Sequence, residues 1–267
     1  MDTASLTVAY SHIVDCIGRI DGETHYRKIL PFLSVVTPAN GWYEVTLDGQ
    51  APVAIREGEC FVVPGGVAHT IVHHFAPGTV MQPRFIFMQI LHRGYTDLTA
   101  AIRPPLVLRG EQAAAMIALL DEGLANEAIE GAAGVCLRAA LAQRILAALL
   151  PLSPPLLLQQ KTAVDAALRH IEKHLAEKLT LDDLAELCHL SRATFCRNFR
   201  QVTGTAPMEY VMDKRLTRAA TLCTEGEALS AIAARTGFYD EYHLSKAFSK
   251  HFGCSPSVYR TRFFTTK

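Results

Sequence analysis

The stretch LDDLAELCHLSRATFCRNFRQVT, residues 181–203, decides how the C-terminal part of the chain folds. Leu181, Leu184, Ala185 and Cys188 recur at helical spacing, His189 and Leu190 interrupt the pattern, and Ser191 suits the cap of a second helix. Two short helices joined by a tight turn are expected. In the second, Phe195 and Phe199 stand four apart and point inward with Val202, which leaves Arg192, Ala193, Cys196, Arg197 and Arg200 on the opposite face. That face holds three arginines and no acid. Taken alone, it is the face of any solvated amphipathic helix.

Repetition changes its weight. Leu184, Ala185, His189 and Leu190 answer to Ile232, Ala233, Gly237 and Phe238 at an offset of 48, and Phe195, Phe199, Gly204, Pro207 and Tyr210 answer to Leu244, Phe248, Gly253, Pro256 and Tyr259 at 49. The one-residue difference falls in the second turn. Each copy closes with a glycine suited to a helix C-cap and a proline suited to a helix first turn. Two copies of one helix-turn-helix unit are expected, with Glu241, Tyr242, Ser245 and Lys246 outward in the second.

The segments LAELCHLSRATFCRNFRQVTGTAPMEY and IAARTGFYDEYHLSKAFSKHFGCSPSVYR resemble the AraC/XylS family of bacterial transcription regulators, over about the last hundred residues. The family usually has glycine where this chain has His189. The resemblance implies a DNA-binding domain with two helix-turn-helix motifs. It also implies promoter DNA and RNA polymerase as partners, with activation as the default.

Charge is distributed to match. Residues 1–160 hold 10 Lys+Arg against 14 Asp+Glu, and residues 161–267 hold 16 against 12. A mildly basic C-terminal part fits a nucleic-acid partner. The seven cysteines are scattered without a CxxC pair, the N-terminus does not read as a signal peptide, and prolines interrupt the apolar run 145–158. A cytoplasmic protein is expected.

From about residue 6 to 93 the texture is β, with candidate strands at 29–37, 42–47, 53–56, 60–63, 69–74 and 85–91 and a hairpin signal at Asp48-Gly49. Many short strands suggest a small barrel or double-sheet jelly roll. The run GECFVVPGGVAHTIVH, residues 58–73, resembles the second motif of cupin barrels, with His73 where that motif ends in asparagine. A catalytic cupin holds its metal with three histidines and a glutamate, two of the histidines in a His-x-His pair. No such pair exists here. His25 stands alone, Glu44 lies near the expected carboxylate region, and His73 and His74 straddle two faces of one strand. Neither a metal nor another cofactor is expected, and a metal-dependent cupin enzyme with an accessory helical domain is the disfavoured alternative.

A metal-free small barrel suits a small-molecule receptor. By resemblance to sugar-sensing relatives, the effector, a sugar or other small organic molecule, would be lined by Arg27, His69, Ile71, Phe85, Phe87 and Gln89, with the first dozen residues closing over it. Phe85 and Phe87 are equally readable as barrel core. Helices are expected at 111–126 and 132–150; Leu137, Leu141, Ile145 and Leu149 of the second form a stripe for a homodimer interface or for burial on its own barrel.

The expected organisation is thus α+β and multidomain. Residues 1–150 form a cupin-like effector-binding and dimerisation domain, 151–160 a proline-bearing linker, and 161–267 an all-α DNA-binding domain beginning with a helix at 162–177. Residues 207–224, without internal Gly or Pro, should form one helix of roughly 27 Å, able to set two recognition helices about one DNA turn apart. Arg197 is suited to guanine, Ala193 and Cys196 to a thymine methyl, and Glu241 to cytosine. Lys246 suits a base or a phosphate. Arg200 and Lys250 suit phosphates, and Asp240 a helix cap.

Overall fold

The computed structural model describes residues 6–15, 22, 24–92, 96–155 and 162–264, and the chain divides into two compact units between Leu157 and Leu158. That division lies inside the expected linker, whose second half, residues 156–160, is outside the described residues. Its start is not extended: Leu150–Leu152 forms a 3-10 turn whose leucines pack on the first unit.

The first unit is built on two antiparallel sheets. Strands β1 (Leu6–Asp15), β8 (Arg84–His92), β3 (Leu33–Thr37), β6 (Cys60–Val63) and β10 (Val107–Leu108) follow one another across one sheet, with β9 (Thr96–Asp97) beside β8. Strands β2 (Thr24–Ile29), β7 (Ala68–His74), β4 (Trp42–Leu47) and β5 (Val53–Ile55) make the other. The single strand expected at 29–37 is two, because Pro31 has no N–H to give a ladder and the chain changes sheet there. Asp48-Gly49 does turn β4 into β5, with Gly49 at φ 75° and Gln50 N–H donating to the Leu47 carbonyl at 3.0 Å.

Alternation then assigns the faces. On the larger sheet, Leu33, Val35, Ile86, Met88 and Ile90 pack against helices α1 (Gly110–Ala125) and α2 (Gly131–Leu149), while Val36, Phe61 and Val63 meet Tyr43, Val45 and Ile71 of the smaller sheet. Leu141, Ile145 and Leu149 of the expected α2 stripe are buried in the first of these cores, and Leu137 remains 39% exposed. Most of the stripe is therefore absorbed by its own unit. Helix α2 is long and apolar enough to cross a membrane by composition, but this buried face is seated on the sheet.

The second unit contains α3 (Asp165–Lys173), α4 (Leu181–Leu187), α5 (Arg192–Thr203), α6 (Pro207–Thr224), α7 (Leu229–Thr236), α8 (Glu241–Phe252) and α9 (Pro256–Phe264). Helix α3 is shorter than the expected 162–177, since the Asp165 carboxylate accepts from the Thr162 backbone and hydroxyl at 3.1 and 2.5 Å and holds that end in a turn. Helix α6 has the expected bounds. The repeat appears as two cores: the tilted rings of Phe195 and Phe199 lie 5.4 Å apart with Tyr210 5.4 Å from Phe199, and Phe248 meets Phe252 at 4.4 Å and Tyr259 at 5.2 Å.

Two consequences can be measured. His69, on β7, is 1% exposed; burial first, and then the nearby Lys28 ammonium, bring its imidazole down to about 3, so the fold holds it neutral. The unfolded chain takes up that proton near pH 6.5, so stability present above about pH 6.5 is lost as pH falls toward the folded value, by at most about 1.4 kcal/mol per unit. Trp42 is the single tryptophan and belongs to β4, so its emission follows this unit. The urea midpoint read at Trp42 is expected to fall with pH below about 6.5, and to fall less steeply in His69→Gln. In the second unit, His189 adopts a left-handed backbone, φ 53°, in the turn before α5. A side chain there costs on the order of 1 kcal/mol, so His189→Gly should raise the thermal midpoint of residues 162–264 within the full chain.

Candidate functional site

Both recognition helices are held by the same local chemistry. Ser191 Oγ accepts from the Thr194 backbone N–H at 3.4 Å to start α5, and Asp240 Oδ1 accepts from the His243 N–H at 2.8 Å to start α8. The His243 backbone and ring together hold the Asp240 carboxyl below the usual carboxylate range. Gly204 and Gly253 end the two helices at φ 82° and 74°, where a side chain would be strained. Between these ends, Phe195, Phe199, Leu244 and Phe248 are fully buried.

That burial turns every predicted contact residue outward. Arg192, Ala193, Arg197, Arg200, Glu241, Tyr242, Lys246 and Lys250 are exposed, and Cys196 and Ser245 are half-buried at the edges of their faces. One correction is needed. The α5 face contains no acid, but Asp182 on α4 reaches it, accepting from Arg192 Nη2 at 2.7 Å and pairing also with its Nε. Arg192 is thus already paired within the protein. Among the described residues neither Arg197 nor Arg200 is ion-paired, so these carry the readily available positive charge of the first face.

The residues assigned from sequence omitted Tyr239. It is 92% exposed and projects from the turn ahead of α8, with Tyr242, 70% exposed, one helical step behind it. Both rings approach His243 edge to face, at 5.8 and 6.0 Å. Tyr239 is the residue by which the repeat offset grows from 48 to 49, so the insertion itself was the available signal.

In the β unit, alternation carries Phe85, Phe87 and Gln89 to the inner side of the larger sheet and His69 and Ile71 to the inner side of the smaller one. Phe87 packs against Phe32 at 5.9 Å and Phe85 at 4.9 Å, Ile71 belongs to the inter-sheet core, and Gln89 donates to Asp97 at 3.1 Å. Arg27 is different. The β2–β7 register shifts between His25 and Lys28, and this bulge pairs Lys28 with His69 and sends Arg27 outward to Asp48, with hydrogen bonds of 2.5 to 3.1 Å. Lys28, 8% exposed, takes the inward place expected for Arg27. His73 also faces inward, against Tyr43 at 4.9 Å, while His74 faces outward, stacked on Trp42 at 4.0 Å. Among the described residues no three His, Cys, Asp or Glu side chains converge as a metal site would require.

Residues 184–262 match a family described as a helix-turn-helix domain. The chain is 32% identical over 127 residues to the MmsAB operon regulatory protein of Pseudomonas aeruginosa, covering 47% of this chain and 41% of that protein. It is 39% identical over 84 residues to the RCS-specific HTH-type transcriptional activator RclR of Escherichia coli, covering 31% and 30%. The chain thus spans less than half the length of these curated relatives. A crystal structure of ToxT from Vibrio cholerae superposes with a TM-score of 0.60 at 10% identity, over 96% of this chain and 99% of that one, which shows a common fold. Residues 184–262 are accordingly an AraC-type helix-turn-helix domain, carried behind an N-terminal antiparallel β domain as in ToxT.

Proposed function

We propose that this protein is a sequence-specific DNA-binding transcription regulator whose β domain binds a small-molecule effector. The observation that carries the first part is the pair of capped helices α5 and α8, each with a phenylalanine core behind it and the predicted contact residues in front. Arg197 donates to guanine and Arg200 and Lys250 to phosphates, while Ala193 and Cys196 meet a thymine methyl. Glu241, Ser245 and Lys246 read the second groove with Tyr242. The relatives' names support regulation, and that of RclR supports activation, which would add RNA polymerase as a partner in the cytoplasm.

The effector belongs between the sheets, where His69, Ile71, Phe85, Phe87 and Gln89 lie, with Lys28 in place of Arg27. Solved structures of ToxT hold an unsaturated fatty acid and (E)-4-(8-methylnaphthalen-1-yl)but-3-enoic acid. The buried Lys28 lies across from the uncharged His69, which puts a cationic side chain beside the apolar residues Ile71, Phe85 and Phe87. A carboxylate with an apolar body is therefore the effector class favoured here over a sugar. Dimerisation uses the part of α2 not absorbed by the core, at Val135 and Leu137.

Selection from a random DNA pool with the full-length protein, at stated moderate salt, tests the DNA reading. Two short motifs about 10 to 11 base pairs apart are expected, one per module; no enrichment would sink it. On the selected site, Arg197→Ala should cost about 1 to 3 kcal/mol and relax the preference at its base, whereas an equal loss on every sequence would make Arg197 a phosphate contact. Tyr239→Ala should weaken binding to the same site by about threefold to tenfold, within the ~1 kcal/mol typical of one contact, and leave the melting temperature unchanged. Unchanged affinity would place Tyr239 off the duplex.

A further inference from the structure

The outer face of the smaller sheet carries a cavity that the effector reading does not use. It measures about 730 Å³, opens to solvent, and is lined by Trp42 and His74 from the sheet, Asn40 and Gly41 from the β3–β4 turn, and Phe75, Ala76, Thr79 and Val80 from the segment after β7. Its volume lies within the range of small-ligand clefts, about 300 to 1,000 Å³. Strand alternation separates it from the inter-sheet space, because Trp42 and His74 point away from Tyr43 and His73.

The walls are fixed before any ligand arrives. Gly41 N–H donates to Glu57 Oε1 at 2.9 Å, and Gln82 N–H donates to the Ala39 carbonyl at 2.8 Å. The Thr79 backbone and hydroxyl both return to the Ala76 carbonyl, at 3.0 and 2.6 Å. Gly41 is required at its place, since a Cβ there would meet the His74 carbonyl at 2.4 Å. The two loops therefore close on the strand end tightly enough to form a floor.

The chemistry is that of an aromatic acid. Antiparallel pairing sets Trp42 in a row between His74 on β7 and the chain position of Arg56 just past β5, and the Arg56 guanidinium lies 5.7 Å from the indole centre. Phe75 and Val80 add apolar wall, and Val80 is 44% exposed. An aromatic ring would shield Val80 and meet the edge of the indole. A carboxylate on that ring would reach the exposed Arg56, while of the neighbouring acids Glu57 is engaged by Gly41 and Glu59 by Arg109 and the Arg56 backbone N–H.

We infer that the Trp42 cavity is a second ligand site on the β domain, separate from the inter-sheet site, and that it takes a small aromatic carboxylate.

The single tryptophan makes the test direct. Full-length protein is titrated with benzoate and with phenylacetate, following Trp42 emission, with benzyl alcohol as the uncharged control. Saturable changes are expected for the acids, with weaker binding of the alcohol. Arg56→Ala should weaken the acids about tenfold and remove their advantage over the alcohol, as loss of one charge-assisted contact would. Val80→Asp should abolish binding of both acids. Both substituted positions are exposed, so folding is preserved and circular dichroism verifies it. Absence of any saturable response in the folded wild-type protein overturns the site. Acid binding that survives both Arg56→Ala and Val80→Asp also overturns it, by placing the ligand elsewhere. Equal affinity for acid and alcohol overturns the ligand class.

Discussion

The helical unit depends on where the Arg215 guanidinium goes. From α6 it donates Nε to the Leu175 carbonyl at 2.9 Å and Nη2 to the Glu177 carbonyl at 2.6 Å, both in the segment between α3 and α4. Those carbonyls follow the end of a helix and have no helical partner. Burial lowers the guanidinium's pKa from its ordinary value, yet it remains charged and satisfied by two acceptors. Beneath it lies Gly237, in the turn of the second module: a Cβ there would stand 2.8 Å from both Arg215 and the Leu175 carbonyl. One side chain thus touches the approach to the first module, the connecting helix and the second turn. The spacing of the two recognition helices is set by this contact together with the length of α6.

The same contact explains why the two turns differ in residue type. Gly237 and His189 both occupy the left-handed region, at φ 74° and 53°. At Gly237 glycine answers two demands, backbone angle and close approach, so no side chain fits. At His189 only the angle matters, because the imidazole is exposed. A histidine there carries a backbone cost but no clash, so the substitution leaves the architecture intact.

Most of this unit was legible from spacing. The bounds of α6, the caps Ser191 and Asp240, and the inward set of Phe195, Phe199, Leu244 and Phe248 follow from periodicity and residue type, which act within a few residues. One feature of this unit and two of the β unit were not. Asp182 meets Arg192 across a helix turn, the β2 bulge exchanges Arg27 for Lys28, and Pro31 moves the chain from one sheet to the other. Each depends on how separate elements meet, or on a register that alternation assumes to be unbroken. The inter-sheet residues show the limit well: parity placed His69, Ile71, Phe85, Phe87 and Gln89 on the inward side, and failed at the one position beyond a bulge.

The outward faces of α5 and α8 have the same frame and different chemistry. Arg197 and Arg200 make the first face cationic, with Arg192 restrained by Asp182, whereas the second mixes Glu241 and Lys246 with the exposed rings of Tyr239 and Tyr242. Cationic contacts to phosphate weaken as salt rises, while ring contacts to sugars or methyl groups scarcely change. Under the regulator reading, the first module would dominate encounter and salt sensitivity, and the second would hold its share of affinity at higher ionic strength. Under that reading, two copies of one helix-turn-helix unit with different outer faces would divide those tasks without altering the core that both share.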